Sequence, residues 1–423
     1  MSYIKTTLDN GLRVITYPMP KMRSVALGIW IKVGGRYENQ DNKGVSHYLE
    51  HMLFKGTKKY SCRKLKESIE GVGGSLNGFT SEEYTCYLVK LPYAHLQDGI
   101  NVLSDMVLDP LLNQDDMEKE RTVILEEIKM YEDLPQSYVH DLLDELLYPN
   151  QPLGMKILGS FNSVNRLNKN ELVEFKTKHY SCSNIVVSAS GCLKHNELVR
   201  SIKSNFSGLK EGQQDTFLPA CHNQSVPQLK ILDKDTEQTH LALGFHALSK
   251  ADPMRYILDI FHIILGGNMS SRLFEELREK KGLAYEIASA VKRYKDTGVF
   301  LVHAGIDNSK VPEAISLVLD ELFKARRELV KSDELKRAKE FYLGQLMLSL
   351  EDTMDNMLWV GESLISLDKV CPVKETIAKV NAVTRNNIRE LANRIITREA
   401  INLALIGPVK KHEGLIYQEF DKR

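Results

Sequence analysis

Two similar domains of the α+β class, each a mainly antiparallel sheet with helices packed on one face, are what this sequence predicts. Three observations carry the expectation. The chain has 423 residues, and a single hydrophobic core stops growing at roughly 250–300 residues. Strand-like alternation and helical periodicity follow one another along the whole length. After a polar stretch with two prolines at 208–227 (GLKEGQQDTFLPACHNQSVP), the order of segments starts again.

The elements follow in order. Residues 12–17 and 24–33 alternate Val, Ile and Trp with smaller residues, as half-buried strands do. Residues 41–54, 61–70, 94–108, 114–131 and 138–147 carry helical periodicity, and 185–191 reads as a further strand. In the second half, 239–246 and 298–306 read as strands, and 253–265, 311–329 and 333–350 as helices. The strand–helix pair TCYLVKL/HLQDGINVLSDMV finds a counterpart in GVFLVHAGI/VPEAISLVLDEL, and QDDMEKERTVILEEI finds one in KSDELKRAKEFYLGQL. A unit of roughly 200 residues is too long for a solenoid repeat, so a diverged internal duplication is expected. The division is 1–212, a linker at 213–227, and 228–423.

Composition removes several function classes. Lys+Arg and Asp+Glu are 56 each, so the net charge is zero and no overall field favours nucleic acid or a membrane surface. No run approaches the roughly 18–20 apolar residues of a membrane span. The start, MSYIKTTLDNGLRVITYP, has no apolar h-region and is not rich in Arg and Ser, unlike a secretory or transit peptide. Six cysteines without a CxxC pair read as buried free thiols in a reducing compartment, so the cytoplasm is expected.

The pentad His47-Tyr48-Leu49-Glu50-His51 is the informative motif. At 100° per residue, Val45, Tyr48, Leu49, Met52 and Leu53 share one direction. His47, Glu50, His51 and Phe54 share the other. Two imidazoles one turn apart suit a tetrahedral Zn²⁺, and the carboxylate beside them can act as a base toward a water the ion acidifies. The bland alternative is a solvated face that carries two histidines. A third ligand is sought on the carboxylate-rich helix 114–131. Met117, Val123, Ile124, Ile128 and Tyr131 define its inward arc, which takes in Glu120 and Glu127 but not Glu118, Glu126 or Lys129. A carboxylate aimed into an apolar face is costly unless paired or metal-bound. Glu127 is therefore read as the ligand and Glu120 as a carboxylate orienting a histidine.

With Glu127 lying 76 residues beyond His51, the chain resembles the inverted-zincin metallopeptidases of the pitrilysin/insulinase family. The likeness is greatest to its short bacterial members and the β subunit of the mitochondrial processing peptidase. It runs through NGLRVI, SVALGIWIKVGGRYE, GVSHYLEHMLFKGT, GGSLNGFTSEEYTCY and VILEEIKMYED. The resemblance implies that His47, His51 and Glu127 hold zinc and that Glu50 is the general base. It also implies that GGSLNGFT is an edge strand pairing with extended substrate through Asn77, Gly78, Phe79 and Thr80. The family commonly has Ala where Gly78 stands.

In SSRLFEELREKKGLAYEIAS, Arg278 and Tyr285 match the family's Arg–Tyr pair, which reaches the catalytic cleft from the opposing half of the enzyme. An Arg and a phenol can hold a substrate carbonyl and its developing oxyanion. Aligning Gly56 with Gly267 sets Leu258, Phe261 and His262 opposite His47, Glu50 and His51, and aligning the second helices sets Gln345 opposite Glu127. One zinc per chain is expected. The implied function is a zinc endopeptidase acting on extended peptides or presequence-like segments inside a dimeric chamber. A chain with both HxxEH and the Arg–Tyr pair favours a homodimer, and the long glycine-rich loop of the family's non-catalytic processing subunit is missing. The rivals are a structural scaffold subunit, marked by loss of ligands or base, and a catalytic subunit needing a different partner chain.

Overall fold

The computed structural model describes residues 3–212 and 216–421. Of the expected linker, residues 213–215 lie outside the described residues, and 216–227 form neither helix nor strand. The chain divides into two compact units. The first comprises the residues up to Lys129, Met155–Leu218 and Met347–Pro372. The second comprises Met130–Gly154, Pro219–Leu346 and the residues from Val373 on.

The first unit is built on six strands: β1 Ile4–Thr7, β2 Arg13–Pro18, β3 Ser24–Ile31, β4 Ser75–Thr80, β5 Thr85–Pro92 and β6 Ile185–Gly191. Their spatial order is β1-β2-β6-β3-β5-β4. Only β2 and β6 run parallel; the remaining neighbours are antiparallel. The second unit has five: β7 Gln228–Asp233, β8 Gln238–Ala247, β9 Ala284–Arg293, β10 Gly298–Asp307 and β11 Asn402–Gly407. Their order is β7-β11-β8-β10-β9, again with one parallel pair, β11 and β7. Setting β2-β6-β3-β5-β4 beside β7-β11-β8-β10-β9 matches both order and direction, which is the architectural form of the duplication. The free edges β4 and β9 are equivalent.

Alternation along β3 explains the layering. Val25, Leu27, Ile29 and Ile31 enter the main core with Tyr48, Leu49, Met52, Leu103 and Ile124 from the helix layer. Ala26 and Trp30 face the other way, against Met357, Val360, Leu364 and Ile365 of the helix Thr353–Leu367. Each of these aliphatic side chains contributes about 1.5–3 kcal/mol by burial, before conformational entropy is counted. The second unit repeats the device: Val139, Leu142 and Leu143 of the helix Pro135–Leu147 cover Ala242, Val299, Leu301 and Ala404. The strands expected to be half-buried are therefore buried on both faces, each by a main helix layer and one further helix.

These covering helices also explain why the compact units are not contiguous in sequence. Residues 130–154 pack in the second unit and 347–372 in the first. The approach is close: a Cβ on Gly361 would stand 2.3 Å from Trp30 Nε1. The cysteines are all free, but only Cys86 and Cys182 are buried; Cys62, Cys192 and Cys371 are half-buried and Cys221 exposed. The expectation of six buried thiols is corrected to two, because the other four fall outside the two cores. Among the described residues, no helix is long and apolar enough to cross a membrane.

Candidate active site

The histidine helix runs Val45–Leu53 and starts from Gly44, whose φ of 94° suits glycine. Its first turn is capped from outside: Glu38 accepts hydrogen bonds from Gly44 N at 2.9 Å and Ser46 N at 2.8 Å. Lys43 pairs with the same carboxylate at 3.4 Å. The apolar stripe Val45, Tyr48, Leu49, Met52 and Leu53 is wholly buried. Within it, the Tyr48 hydroxyl donates to the Met117 carbonyl at 2.5 Å, tying this helix to the first turn of the helix Gln114–Glu132. Two elements that carry candidate ligands are thus bonded to each other near one end.

That second helix buries Met117, Glu120, Ile124 and Ile128. Val123 and Tyr131, expected inward, are 49% and 38% exposed. The corrected stripe is centred on Met117, Ile124 and Ile128, and Val123 lies about 120° from it. Tyr131 lies beyond Lys129, where the first unit ends. Glu120 and Glu127 stay on the flank of the stripe toward the histidines, while Glu126 points to solvent and pairs with Lys129 at 2.7 Å.

His47, His51 and Glu127 converge, with one ligand atom from each lying within 4.8 Å of the others. His47 Nε2 and His51 Nε2 stand 3.7 and 3.8 Å from the same oxygen, Glu127 Oε2. Donors around a tetrahedral zinc are about 3.3 Å apart, so two imidazoles and a carboxylate at these separations suit that ion with little adjustment. Burial, then the neighbouring His51, pushes His47 down to about 3, so its ring is neutral and offers a lone pair. His51 Nδ1 bonds Glu120 Oε2 at 3.1 Å, which leaves Nε2 toward Glu127. Burial acts to lower His51, but the Glu120 bond and the surrounding carboxylates outweigh it and raise it. Glu120 is itself held by Lys55, whose ammonium pairs with its other oxygen.

Glu50 lies on the same helix face, 8% exposed, and burial raises its pKa against the pull of His51 and Thr80. The edge strand β4 passes directly beside it. Thr80 Oγ1 donates to Glu50 Oε2 at 3.0 Å, and a Cβ on Gly78 would stand 3.1 Å from Oε1 and 3.0 Å from Phe54 Cζ. Asn77 is exposed, and Phe79 points to the opposite face against Trp30, ring centroids 5.9 Å apart. Among the described residues β4 pairs with β5 and no other strand, so its outer edge is open to a further strand, with the Gly78 N–H donating to Asn77 Oδ1 at 2.8 Å.

Arg278 and Tyr285 belong to the second unit. Arg278 sits in a π-helical turn, Phe274–Lys280, with its guanidinium 4.8 Å from the Phe274 ring and 5.3 Å from the Tyr285 ring. Tyr285 opens β9 and is 74% exposed. The two side chains form a stacked pair, with Tyr285 exposed and Arg278 partly buried in the last turn of its helix.

The family model for insulinase, peptidase family M16, matches residues 13–160, and that for the M16 inactive domain matches 166–342. An uncharacterized zinc protease of Streptomyces coelicolor is 37% identical over 416 residues, covering 97% of this chain and 90% of that protein. The chain belongs to the M16 peptidase family. The uncharacterized zinc protease YmxG of Bacillus subtilis is also 37% identical, over 404 residues, covering 95% of this chain and 97% of that one. A crystal structure of a protease from Helicobacter pylori superposes with a TM-score of 0.89 at 22% identity, covering 96% and 99% of the two chains. That of a peptidase M16 inactive domain from Pseudomonas fluorescens gives 0.90 at 16%, covering 96% and 98%. At such identities the structures speak for the fold.

The second half of this M16 chain holds no comparable cluster among the described residues. Leu258 and Phe261 are fully buried in the helix Arg255–Gly266, and Gln345 is exposed. His262 bonds Ser289 Oγ at 2.7 Å. Four contacts around these residues were not read from sequence: Glu38 on the helix start, Tyr48 on Met117, Lys55 on Glu120 and Thr80 on Glu50. Lys55 had a signal, since it stands four residues beyond His51. Glu38 lies six and eight residues from the N–H groups it caps, whereas the Tyr48–Met117 and Thr80–Glu50 contacts join residues brought together by the tertiary fold.

Proposed function

We propose that this chain is a zinc endopeptidase that hydrolyses extended, unstructured peptides, with one zinc per chain and two chains enclosing the cleavage chamber. The observation that carries the reading is the convergence of His47, His51 and Glu127 beside Glu50 and the edge strand β4. His47 Nε2, His51 Nε2 and a Glu127 oxygen would hold the ion. When bound, zinc supplies Lewis acidity to the scissile carbonyl and to the attacking water.

The chain's own groups do the remaining work. Asn77–Thr80 offer backbone bonds to an open peptide strand, which fixes its register without demanding one sequence. Glu50 is buried and raised, so it can take the water's proton and pass it to the leaving amine nitrogen. Glu120, held by Lys55, keeps His51 in the tautomer that points Nε2 at the site. Arg278 and Tyr285 would receive the carbonyl oxygen, in a cleft completed by a second copy of the chain. The reading places the protein in the cytoplasm, where six unpaired thiols are stable.

The test is digestion of a peptide library by the purified protein, with chelator and with zinc restored, read by mass spectrometry. Cleavage of disordered peptides that stops with chelator and returns with zinc is expected, with folded proteins left intact. Glu50→Gln should retain near-stoichiometric zinc and lose hydrolysis, whereas His51→Ala and Glu127→Ala should lose zinc by elemental analysis. Chelator-insensitive cleavage, or zinc lost from Glu126→Ala but kept by Glu127→Ala, would overturn the assignment.

A further inference from the structure

We infer that Thr80 is a positioning residue for Glu50, so that the strand offered to substrate also orients the base. The inference rests on the reading of Glu50 as general base. Along β4, alternate residues face the same side, and Gly78 and Thr80 both face Glu50. Thr80 donates to Oε2 at 3.0 Å, and Gly78, having no Cβ, lets the strand pack close beside Oε1 and the Phe54 ring. One carboxylate oxygen is therefore held by the strand that runs past it.

A glutamate needs such a restraint. Its terminal torsion is soft and roughly two-fold, so rotamer preference alone does not orient the carboxylate plane. A buried carboxylate without a hydrogen-bond donor also carries a desolvation cost that drives it to reorient. The donor stands on a rigid support. Thr80 pairs with Thr85 at the end of the β4–β5 hairpin. Ser81 closes the turn, with its N–H and its hydroxyl both donating to the Tyr84 carbonyl, at 2.9 and 2.8 Å. Thr85 Oγ1 donates to the Val33 carbonyl at 2.9 Å, anchoring the hairpin to the adjacent segment.

The experiment compares Thr80→Val, which keeps the β-branched shape and removes the donor, with Thr80→Ser, which keeps the hydroxyl. Thr80→Val should keep its zinc, lower kcat about 10–100-fold on a fluorogenic peptide, and leave KM within about threefold. Thr80→Ser should restore kcat to within about threefold of the parent. Crystal structures of the metal-free parent and Thr80→Val should show the Glu50 carboxylate rotated in the variant alone. A Thr80→Val kcat within twofold of the parent would overturn the inference. So would an effect confined to KM, a serine variant as impaired as the valine, or an unmoved carboxylate. If the parent itself shows no zinc-dependent cleavage, the functional reading fails, while the paired crystal structures still decide whether Thr80 orients Glu50.

Discussion

Aligning Gly56 with Gly267 sets His262 opposite His51 in sequence, and their neighbours give them opposite character. His51 meets Glu120 and Glu127, which favour its protonated ring until a cation replaces the proton. His262 meets a serine hydroxyl, with Arg293 near, and burial pushes it down to about 4. The folded chain therefore holds His262 neutral, while the unfolded chain protonates it near pH 6.5. Stability from this residue is present above about pH 6.5 and is lost as pH falls toward 4. In chelator, His262→Gln should lose less stability over that window than the parent, by roughly 1–3 kcal/mol, measured by thermal melts at fixed ionic strength. Equal pH slopes would mean that His262 stays solvated. At this scale the sequence was legible where one helix face carried the information: His47, Glu50 and His51 segregate cleanly from the apolar stripe, and Glu127 separates from Glu126. It was not legible where angle alone had to stand for burial, as with Val123 and Tyr131. The bond from Thr80 to Glu50 depends on a strand approaching a helix, which no spacing rule encodes.

The elements that carry the site are held by polar contacts at their ends more than by propensity. The histidine helix is short, starts at a left-handed glycine, and takes its cap from Glu38, which precedes it in sequence. Removing that carboxylate leaves two buried N–H groups without their acceptor and the Lys43 ammonium without its counter-charge, with the Gly35 carbonyl as its remaining acceptor. Glu38→Ala should therefore destabilise the fold by about 2–4 kcal/mol and weaken zinc retention in chelator competition, although it removes no ligand. A melting temperature and zinc affinity equal to the parent's would show that Gly44 and the apolar stripe suffice. Strands and helices were readable because their periods differ, 2 against 3.6, and the stretches are long. The two covering helices are the instructive case. Periodicity marks 138–147 as helical, yet nothing in its pattern says which sheet it covers. The Thr353–Leu367 helix buries Met357, Val360, Gly361, Leu364 and Ile365 at i, i+3, i+4, i+7 and i+8, a one-sided stripe that likewise does not say which sheet it covers. Its place against Trp30 depends on Gly361, a packing requirement rather than a propensity.

At the scale of the whole molecule, the equivalent edges β4 and β9 carry different residues. One runs beside Glu50, and the other has the exposed, arginine-stacked Tyr285 near its start. The stacked Arg278–Tyr285 pair and the metal-type residues lie in different units of the fold. If the pair of one chain completes the zinc site of a second copy, two inactive variants should rescue each other. Glu50→Gln supplies an intact Arg–Tyr pair, and Arg278→Ala supplies an intact base and metal site. Random exchange into symmetric pairs makes half the dimers mixed, and one of the two clefts in each mixed dimer then holds every group. Activity should recover to roughly a quarter of the parent's after co-expression, with size-exclusion chromatography and differentially tagged chains confirming mixed pairs. Each variant alone should stay inactive at the same concentration, which separates rescue from residual turnover. Dilution below the dimer's dissociation constant should abolish the recovered activity, because no single chain in the mixture is complete. Verified mixed dimers without recovery would assign Arg278 and Tyr285 to the cleft of their own chain or to structure alone.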